Sequence, residues 1–404
     1  MLRAVRPLTV PTAILATAAV LAVGGWSLPP TLAGLREVGP YAVLGVAVAV
    51  ATWFNRGRAL VFAASLLLAH AGYEIANALG GFTPLAVYTA TAIFVPANVL
   101  LALLLPERGV SHHYNYRWIL IAAAEILLVA WIASSGRSAV SGMAWQLMFD
   151  HWTLRAPPTP WIARIAFAAA LLAAAWRSWP RWSRLETGIA GALVAFFIAC
   201  EWAPKPGVIA VFLSAAGIIL IVALLQESHR MAFSDELTGL PGRRALQEAL
   251  AALGPRYVLA MVDMDHFKKF NDKHGHDIGD QVLKLVAARL DEVGGGGRAY
   301  RYGGEEFTVL FVDRDLEEAM PHLDEIRASI EGYPMAVRGD DRPRESDQGE
   351  KLRGDSEPMK TLSVTVSIGV SEPDVRLTTP AQVLKAADKA LYRAKEDGRN
   401  RVSR

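Results

Sequence analysis

The fold of the C-terminal half is indicated most clearly by residues 298–312, which read RAYRYGGEEFTVLFV. Two runs rich in apolar, β-branched and aromatic residues flank a Gly-Gly-Glu-Glu sequence, and this pattern predicts a β-hairpin. The turn needs only its glycines, whereas two adjacent carboxylates repel each other. The glutamates therefore suggest that the turn holds a cation or a substrate, with a solvated acidic turn as the alternative.

A second acidic motif lies at the end of a predicted buried strand. Residues 256–265 read RYVLAMVDMD, so Asp263 and Asp265 follow an apolar run. If the hairpin pairs beside this strand, Glu305 and Glu306 come to the same edge of the sheet, and three or four carboxylates converge there. Magnesium relieves such repulsion, because it prefers oxygen ligands together with substrate phosphates. The two motifs together predict a magnesium site.

Basic residues accompany the acidic ones. Lys268 follows the aspartates by one helical turn, and Lys395 and Arg399 stand four residues apart at the end of a predicted helix. Cations that face a metal–carboxylate site suit a polyphosphate substrate. Taken one at a time, each of these residues is more typical of a solvated surface charge.

The surrounding pattern alternates between helices and strands, which predicts an α/β domain built on a largely antiparallel sheet. Residues 338–360 are charged, rich in Pro and Gly and without apolar periodicity, so we expect a mobile surface insertion there. The other predicted elements are helices over 243–253, 265–275, 278–293, 315–331 and 380–398, and strands over 256–265 and 361–371.

The N-terminal half differs in composition. Of the 41 basic and 39 acidic residues, 14 and 7 fall within residues 1–226, so this region carries about +7 and the remainder about −5. It contains eight apolar runs near the roughly 20 residues that cross a bilayer, at 8–28, 38–54, 59–79, 83–105, 117–134, 161–177, 186–202 and 207–226. We predict a polytopic α-helical membrane domain, in which the first run is a retained helix and not a cleaved signal peptide. The single Cys200 excludes an internal disulfide and a multi-cysteine zinc site.

Charge predicts the orientation of this domain. Eight spans place both ends of the chain on one side, and a cytoplasmic N-terminus gives nine basic residues in inner loops against five in outer loops. The rest of the chain then lies in the cytosol. Residues 226–234 read QESHRMAFS without Gly or Pro, so we expect 227–234 to be a helical linker that extends the last membrane helix rigidly.

Five ordered motifs give the C-terminal half a resemblance to a known family. They are DELTGLPGRR, DMDHFKKFNDKHGHDIGD, RYGGEEF, VTVSIGV and ADKALYRAKEDGRN, spread over about 170 residues. On these motifs, residues 235–402 resemble the GGDEF domain of diguanylate cyclases, which join two GTP molecules into cyclic di-GMP, and we assign 235–404 to this domain. The resemblance implies a palm-like fold similar to nucleotidyl cyclases. It also implies a bacterial inner-membrane protein with a cytoplasmic catalytic domain, and GTP as partner without nucleic acid.

Carried over by position, the resemblance assigns roles to single residues. Asp263, the Met264 carbonyl and Glu305 would bind Mg²⁺ or Mn²⁺, while Glu306 would share the metal site or help to deprotonate a substrate 3′-hydroxyl. The residues that would bind substrate are Asn271 and Asp280 for guanine, His276 between them, and Lys268, Lys395 and Arg399 for phosphate.

The family reaction is in-line attack of one 3′-oxygen on another nucleotide's α-phosphate, with two metals stabilising the entering and leaving oxygens. Each domain holds one GTP, so the resemblance implies a homodimer whose two-fold symmetry matches the product. Competent residues at every catalytic motif position predict an active enzyme. The alternatives are a catalytically silent GTP or cyclic di-GMP receptor that signals by protein contact, and a transporter with an appended regulatory domain.

Two positions depart from the family pattern. Residues 294–297 read GGGG where family members often carry an Arg-x-x-Asp product-binding motif, so we expect no product-inhibition site. Gly242 replaces an asparagine that is usual in the first motif. Neither departure, nor the long 338–360 insertion, touches the proposed metal or base contacts.

A polar group within the third span suggests a sensor site for an unknown ligand, ion or proton. Its members are His70, Tyr73, Glu74 and Asn77, at i, i+3, i+4 and i+7 of one helical face. Ionisable groups at membrane depth are costly and point to function. Glu125 and Glu201 lie in other spans and could join them, and hydrogen bonding between helices is the alternative.

Overall fold

A computed structural model describes residues 2–24, 34–80, 83–107, 109–135, 159–179, 183–203, 205, 207–336 and 361–404. The chain divides into two compact units, Met1–His229 and Arg230–Arg404. The predicted insertion at 338–360 lies outside the described residues.

In the described part of the N-terminal unit, eight long helices lie at the eight predicted apolar runs. They are α1 (Leu2–Val23), α2 (Gly34–Trp53), α3 (Gly57–Leu79), α4 (Thr83–Leu104), α5 (Tyr116–Ser135), α6 (Trp161–Ser178), α7 (Arg184–Glu201) and α8 (Val208–Phe233). Among the described residues, five of them (α3, α4, α5, α6 and α8) are long and apolar enough to cross a membrane. Several candidate spans are therefore present, and the number eight stays a prediction.

Small residues let these helices approach one another. The buried core is rich in alanine, and Gly188 of α7 lies where any Cβ would collide with Ala223 of α8. Close backbone contact through small residues is typical of helices packed in a membrane. Helix α8 continues without interruption beyond residue 226 to Phe233. The role of 227–234 as a linker stays a prediction.

The C-terminal unit is an α/β domain. Its elements are α9 (Arg243–Ala251), β1 (Tyr257–Met264), α10 (Phe267–His274), α11 (His276–Leu290), β2 (Arg298–Gly303), β3 (Glu306–Val312), α12 (Leu316–Glu331), β4 (Met335–Ala336), β5 (Thr361–Leu362), β6 (Val366–Ser371), α13 (Pro380–Glu396) and β7 (Val402–Ser403). Within the described residues, five strands form one sheet in the order β2–β3–β1–β6–β7, and β4 pairs with β5 separately. Every pairing except β6–β7 is antiparallel, which confirms the predicted sheet type.

The central strand β1 is buried along its whole length, because helices cover both faces of the sheet. Val258 and Val262 pack with α11 and α12, whereas Leu259 and Met261 pack towards α9 and α13. Gly369 of β6 permits the close crossing of α13, since any Cβ there would collide with the α13 backbone. The end of β1 is therefore held between well-packed layers, which suits a site that needs fixed geometry.

The prediction of a single strand over 361–371 is wrong for its middle residues. Strand β5 ends at Leu362 and β6 begins at Val366, with Thr365 in the gap. The Thr365 carbonyl accepts a hydrogen bond from the Asp265 backbone N–H at 2.9 Å, and the Thr365 hydroxyl donates to the Asp265 carboxylate at 2.7 Å. These two contacts replace regular strand pairing at this point.

The last helix is shorter than predicted. Helix α13 begins at Pro380, as expected, but it ends at Glu396 and not at 398. Gly398 and Arg399 follow with φ values of 110° and 66°, which no helix accommodates. Arg399 therefore lies in a turn beyond the helix that carries Lys395.

Candidate active site

Strand pairing brings the predicted carboxylates together. In the β1–β3 ladder Asp263 stands directly opposite Glu306, and Glu305 lies on the adjoining turn. Gly304 has a φ of 48°, in the left-handed region that glycine adopts at little cost. The sequence thus predicted correctly that a strand end and a hairpin turn meet at one edge of the sheet.

Asp263 is the most enclosed of these groups, at 5% exposure. Burial raises the pKa of its carboxyl, and the charges of Asp265 and Asp388 add to the effect, while Lys395 opposes it. The Lys395 Nζ atom lies 2.8 Å from Asp263 Oδ1. Lys395, predicted to contact phosphate, is here the counter-ion of the central carboxylate.

Burial and the charge of Asp263 also raise the pKa values of Glu305 and Glu306. Asp388 of α13 acts further on Glu306, and Lys395 opposes both shifts. Asp388 was missed from sequence, although it lies seven residues before Lys395 and hence on the same side of a helix. Repulsion among these carboxylates is the condition that a bound cation would relieve.

The oxygen donors of this site suit magnesium, since carboxylate and carbonyl oxygens are its usual protein ligands. Within the described residues, no three His, Cys, Asp or Glu side chains are already gathered as a metal cage. Magnesium commonly uses one or two carboxylates and completes its shell with water and substrate phosphate. The site is thus suited to a metal that arrives with a nucleotide.

Asp265 does not join the acidic site as a ligand. Its carboxylate accepts hydrogen bonds from Thr365 Oγ1 at 2.7 Å, Ser367 Oγ at 2.6 Å and the Asn400 backbone N–H at 3.1 Å. Of the three or four carboxylates expected to converge, Asp265 is the one whose side chain instead ties the end of β1 to β6 and to the loop after α13.

The proposed base-binding residues flank the connection between α10 and α11. Within the described part of the chain, the Asn271 Oδ1 atom is buried without a hydrogen-bond partner, which leaves an acceptor for a ligand N–H. Gly279 shapes this position, because a Cβ there would collide with the Asn271 carboxamide. Asp280 and His276 are exposed on the first turns of α11.

Helix α10 provides a feature that the sequence did not reveal. His266 precedes it with a φ of 58°, and no side chain caps the helix. The first-turn N–H groups of such a helix favour an anion, and Lys268 is exposed in that turn. A phosphate group would therefore be attracted to this end of α10.

Two of the predicted membrane sensor residues line a cavity, and the other two lie at the helix surface. His70 is 2% exposed, and neither of its ring nitrogens has a hydrogen-bond partner among the described residues. With Tyr73 it lines a cavity of about 30 Å³. Glu74 and Asn77 are exposed at the helix surface.

The other two membrane glutamates have polar partners on neighbouring helices. Glu125 accepts a hydrogen bond from Asn98 at 3.1 Å, and Glu201 pairs with Arg164 at 3.1 Å. That they could join the His70 group stays a prediction.

Residues 232–347 and 350–401 match the family model described as diguanylate cyclase, GGDEF domain, which confirms the resemblance seen in the motifs. The response regulator PleD of Caulobacter vibrioides is 38% identical over 186 residues, covering 44% of this chain and 37% of its own length. The diguanylate cyclase DgcP of Pseudomonas aeruginosa is 37% identical over 186 residues, covering 44% of this chain and 25% of its own.

Among solved structures, the coiled coil and GGDEF domain of DgcB from Caulobacter crescentus, in complex with c-di-GMP, is 32% identical with a TM-score of 0.37. The match covers 44% of this chain and 88% of that one. The chain spans well under half the length of the curated relatives named above.

Proposed function

We propose that this chain, whose C-terminal unit is a GGDEF domain, is a diguanylate cyclase that condenses two GTP into cyclic di-GMP and two pyrophosphates. One observation carries the proposal: the β1–β3 register sets Asp263 against Glu306 beside the Gly304–Glu305 turn. Three carboxylates that raise one another's pKa values then lie at this edge of the sheet, and α10 begins three residues after the end of β1.

Asp263, the Met264 carbonyl and Glu305 would hold Mg²⁺ or Mn²⁺, with Glu306 adjoining. The bound metal would supply Lewis-acid stabilisation of the phosphate oxygens. In each half-reaction a 3′-oxygen forms a bond to the α-phosphorus, the α–β bridging bond breaks, and pyrophosphate leaves. We assign the 3′-hydroxyl proton to Glu306, because burial, together with the charges of Asp263 and Asp388, raises the pKa of its carboxyl towards that of a useful base.

Substrate recognition follows from the α10–α11 connection. The unpartnered Asn271 Oδ1 would accept from a guanine N–H, and Asp280 would accept from a second. His276 lies between them at the start of α11. Lys268 and Arg399 would contact phosphate together with the uncapped end of α10.

A single domain binds only one of the two GTP molecules that form the product, so the active species is a homodimer. We propose that the membrane unit regulates it as a sensor of an unidentified ligand, in the cytoplasmic membrane of a bacterium. The uninterrupted helix α8 supports rigid transmission, because a continuous helix conserves rotation and spacing.

One observation favours a second candidate, a silent receptor that binds GTP without turnover. Lys395 already neutralises Asp263 at 2.8 Å, so this carboxylate is stable without a metal. A receptor of this kind would bind GTP whether or not Mg²⁺ is present.

The test is incubation of the full chain in lipid nanodiscs with GTP and Mg²⁺, followed by mass identification of the product. We expect cyclic di-GMP and pyrophosphate, with Glu306→Ala abolishing product formation. Glu317→Gln, an exposed residue of α12, is the matched control. GTP binding without product would support the receptor, and absence of both binding and product would overturn both candidates.

A further inference from the structure

A long cavity of about 530 Å³ lies between α3, α4 and α5, three of the helices that are long and apolar enough to cross a membrane. We name it the α3–α5 cavity. Its lining on α3 extends from Val61 to Leu79, which is a length of about 27 Å for an α-helix. The mean cross-section is therefore about 20 Å², close to that of one extended hydrocarbon chain. The cavity is thus long and narrow, with a volume in the range of about 300–1,000 Å³ that is typical of small-molecule sites.

The walls of the α3–α5 cavity are mostly apolar, and many of them are small. Ala64 and Gly72 of α3 line it together with Ala122 and Ala130 of α5. Small side chains leave open the space that larger ones would fill, and the lining of an empty space lacks van der Waals partners. Ile75, which also lines the cavity, is 62% exposed, so the cavity opens onto the outer surface of the helices. In a bilayer it would be accessible to a molecule dissolved in the lipid.

Two polar side chains meet inside the cavity. The Asn98 carboxamide of α4 donates a hydrogen bond to Glu125 Oε2 of α5 at 3.1 Å, and Asn98 is buried. Among the described residues that line the cavity, Glu125 is the one acidic residue and none is basic. A carboxyl group at membrane depth is costly unless a partner donates to it or neutralises it. The cavity therefore favours a ligand that donates hydrogen bonds or carries positive charge, and disfavours an anion.

The polar pair lies towards one end of the cavity. Arg58 Nε donates to the Ala102 carbonyl at 2.9 Å, so the beginning of α3 lies beside the last turns of α4. Asn98, one turn before Ala102, is therefore near the beginning of α3, and most of the cavity extends from there towards Leu79 and Thr83. One polar end and a long apolar remainder match the shape of an amphiphile with a head group and a single tail.

Helix α5 has few packing partners of its own. Among its described residues only Ile132 is buried, whereas α3 and α4 bury residues along most of their lengths. The hydrogen bond between Asn98 and Glu125 ties α5 to α4, but an interhelical hydrogen bond does not account for the space beside it. A hydrocarbon chain in the cavity would contact α5 and supply the packing that its neighbours leave open.

We propose that the α3–α5 cavity binds one single-chain amphiphile whose head group donates hydrogen bonds, such as a long-chain amine or alcohol. The head group lies beside Asn98 and Glu125, and the tail extends along α3 towards Leu79. Binding itself does not depend on the activity of the C-terminal unit. That this amphiphile is the ligand of the membrane sensor rests on the proposed function.

Photolabelling of the full chain in lipid nanodiscs tests the proposal. The probe is hexadecylamine with a diazirine at mid-chain, and labelled peptides are identified by mass spectrometry after illumination. We expect saturable labelling of the cavity-lining residues of α3 and α5. Excess hexadecylamine or hexadecanol should suppress this labelling, whereas hexadecanoate should be at least about tenfold less effective because Glu125 disfavours a second carboxylate.

Two neighbouring alanines of α5 provide a matched pair of variants. Ala122 lines the cavity, whereas Ala123 is exposed and lies outside its lining. Ala122→Phe should fill the cavity and abolish saturable labelling, and Ala123→Phe should leave the labelling unchanged. Equal effects of the two substitutions would show that the amphiphile does not bind in this cavity.

A second pair of variants tests the head group. Glu125→Gln keeps a side chain that can bond to Asn98 but removes the acid, so the affinity for hexadecylamine should fall by about tenfold. Glu201→Gln is the control, because Glu201 is a membrane glutamate that pairs with Arg164 outside the cavity lining. An unchanged affinity in Glu125→Gln, or equal competition by hexadecanoate in the wild type, would contradict the assignment of the head group.

A further arm distinguishes a specific ligand from the bilayer itself. A phospholipid that carries the same diazirine in one chain replaces the probe. Labelling of the cavity by this lipid that hexadecylamine does not displace would overturn the proposal. Saturable binding by a protein that makes no cyclic di-GMP would count against the proposed function alone, and cyclic di-GMP synthesis without saturable binding would count against this inference alone.

Discussion

Gly279 packs against Asn271 so closely that a Cβ at position 279 would collide with the Asn271 Oδ1 atom. This acceptor is buried and has no hydrogen-bond partner among the residues that the structure describes. The absence of a side chain at one position thus keeps a hydrogen-bonding group available at another. The relationship yields a direct test of base recognition.

Gly279→Ala should displace the Asn271 carboxamide and weaken GTP binding. Loss of a hydrogen bond to a buried acceptor costs about 1–3 kcal/mol, which corresponds to a KM increase of about fivefold to 150-fold. Discrimination against ATP should fall in parallel. Steady-state kinetics with both nucleotides provide the measurement, and Gly254→Ala, at a glycine with open space around it, is the control. An unchanged preference for GTP would remove Asn271 from the recognition site.

Substitution by asparagine should have different effects on stability and activity at the two aspartates near the end of β1. Asp265→Asn should lower the free energy of unfolding by about 1–3 kcal/mol, because three donors lose a charged acceptor. Asp263→Asn should abolish cyclase activity with a smaller loss of stability, because relief of the repulsion from Glu305 and Glu306 partly offsets the loss of the ion pair with Lys395. Chemical denaturation and product assays on both variants check this contrast. Equal effects of the two substitutions on stability would show that the assignment of their roles is wrong.

The acidic site predicts a coupling between pH, metal and stability. The raised pKa of Glu306 means that the folded state binds more protons than the unfolded state above the ordinary carboxyl pKa of about 4.3. Its contribution to stability is therefore full below that pH and falls as the pH rises through the folded pKa. Mg²⁺ should offset this loss at neutral pH and have little effect at pH 4.

Thermal unfolding of the C-terminal unit within the full chain, with and without Mg²⁺, provides the measurement. Glu306→Gln should flatten both the pH dependence and the response to metal. A Mg²⁺ stabilisation that is as large at pH 4 as at pH 7 would show that the carboxylates are not the metal ligands.

The glycine run at 294–297 predicts weak product inhibition. Gly295 and Gly296 have φ values of 64° and 78°, and a Cβ at Gly297 would lie 2.7 Å from a ring carbon of Phe311. Added cyclic di-GMP should leave the initial rate unchanged. Restoring the motif with Gly294→Arg and Gly297→Asp should destabilise the domain instead of creating inhibition. Strong inhibition of the natural protein by its product would reveal a different product site.

Helix α8 predicts a periodic response to insertions. One residue added after Gln226 rotates the following residues by about 100°, whereas seven residues restore the phase to within about 20°. Cyclic di-GMP output should therefore change strongly with the first insertion and recover with the second. Insertions of one to four residues that leave output unaffected would exclude rigid coupling through α8.

Local sequence patterns determined much of this protein. The apolar runs of residues 1–226 predicted the long helices, because continuous hydrophobicity can be read without knowing what packs against it. The hairpin around Gly304 and the buried strand that carries Asp263 were also predicted from sequence patterns. Their meeting at one sheet edge followed once the two were assumed to pair.

Only the tertiary structure decided which side chains serve the site. Asp265 lies two residues after Asp263, yet β1 ends at Met264, so the alternation of a strand no longer applies to it and its carboxylate turns to Thr365 and Ser367. Lys395 proved to be the partner of Asp263, more than 130 residues away in sequence. Periodicity and motif spacing indicate which residues are neighbours along the chain. The contacts of Asp265 and Lys395 depend instead on how separate helices and strands pack, and no single position in the sequence determines that packing.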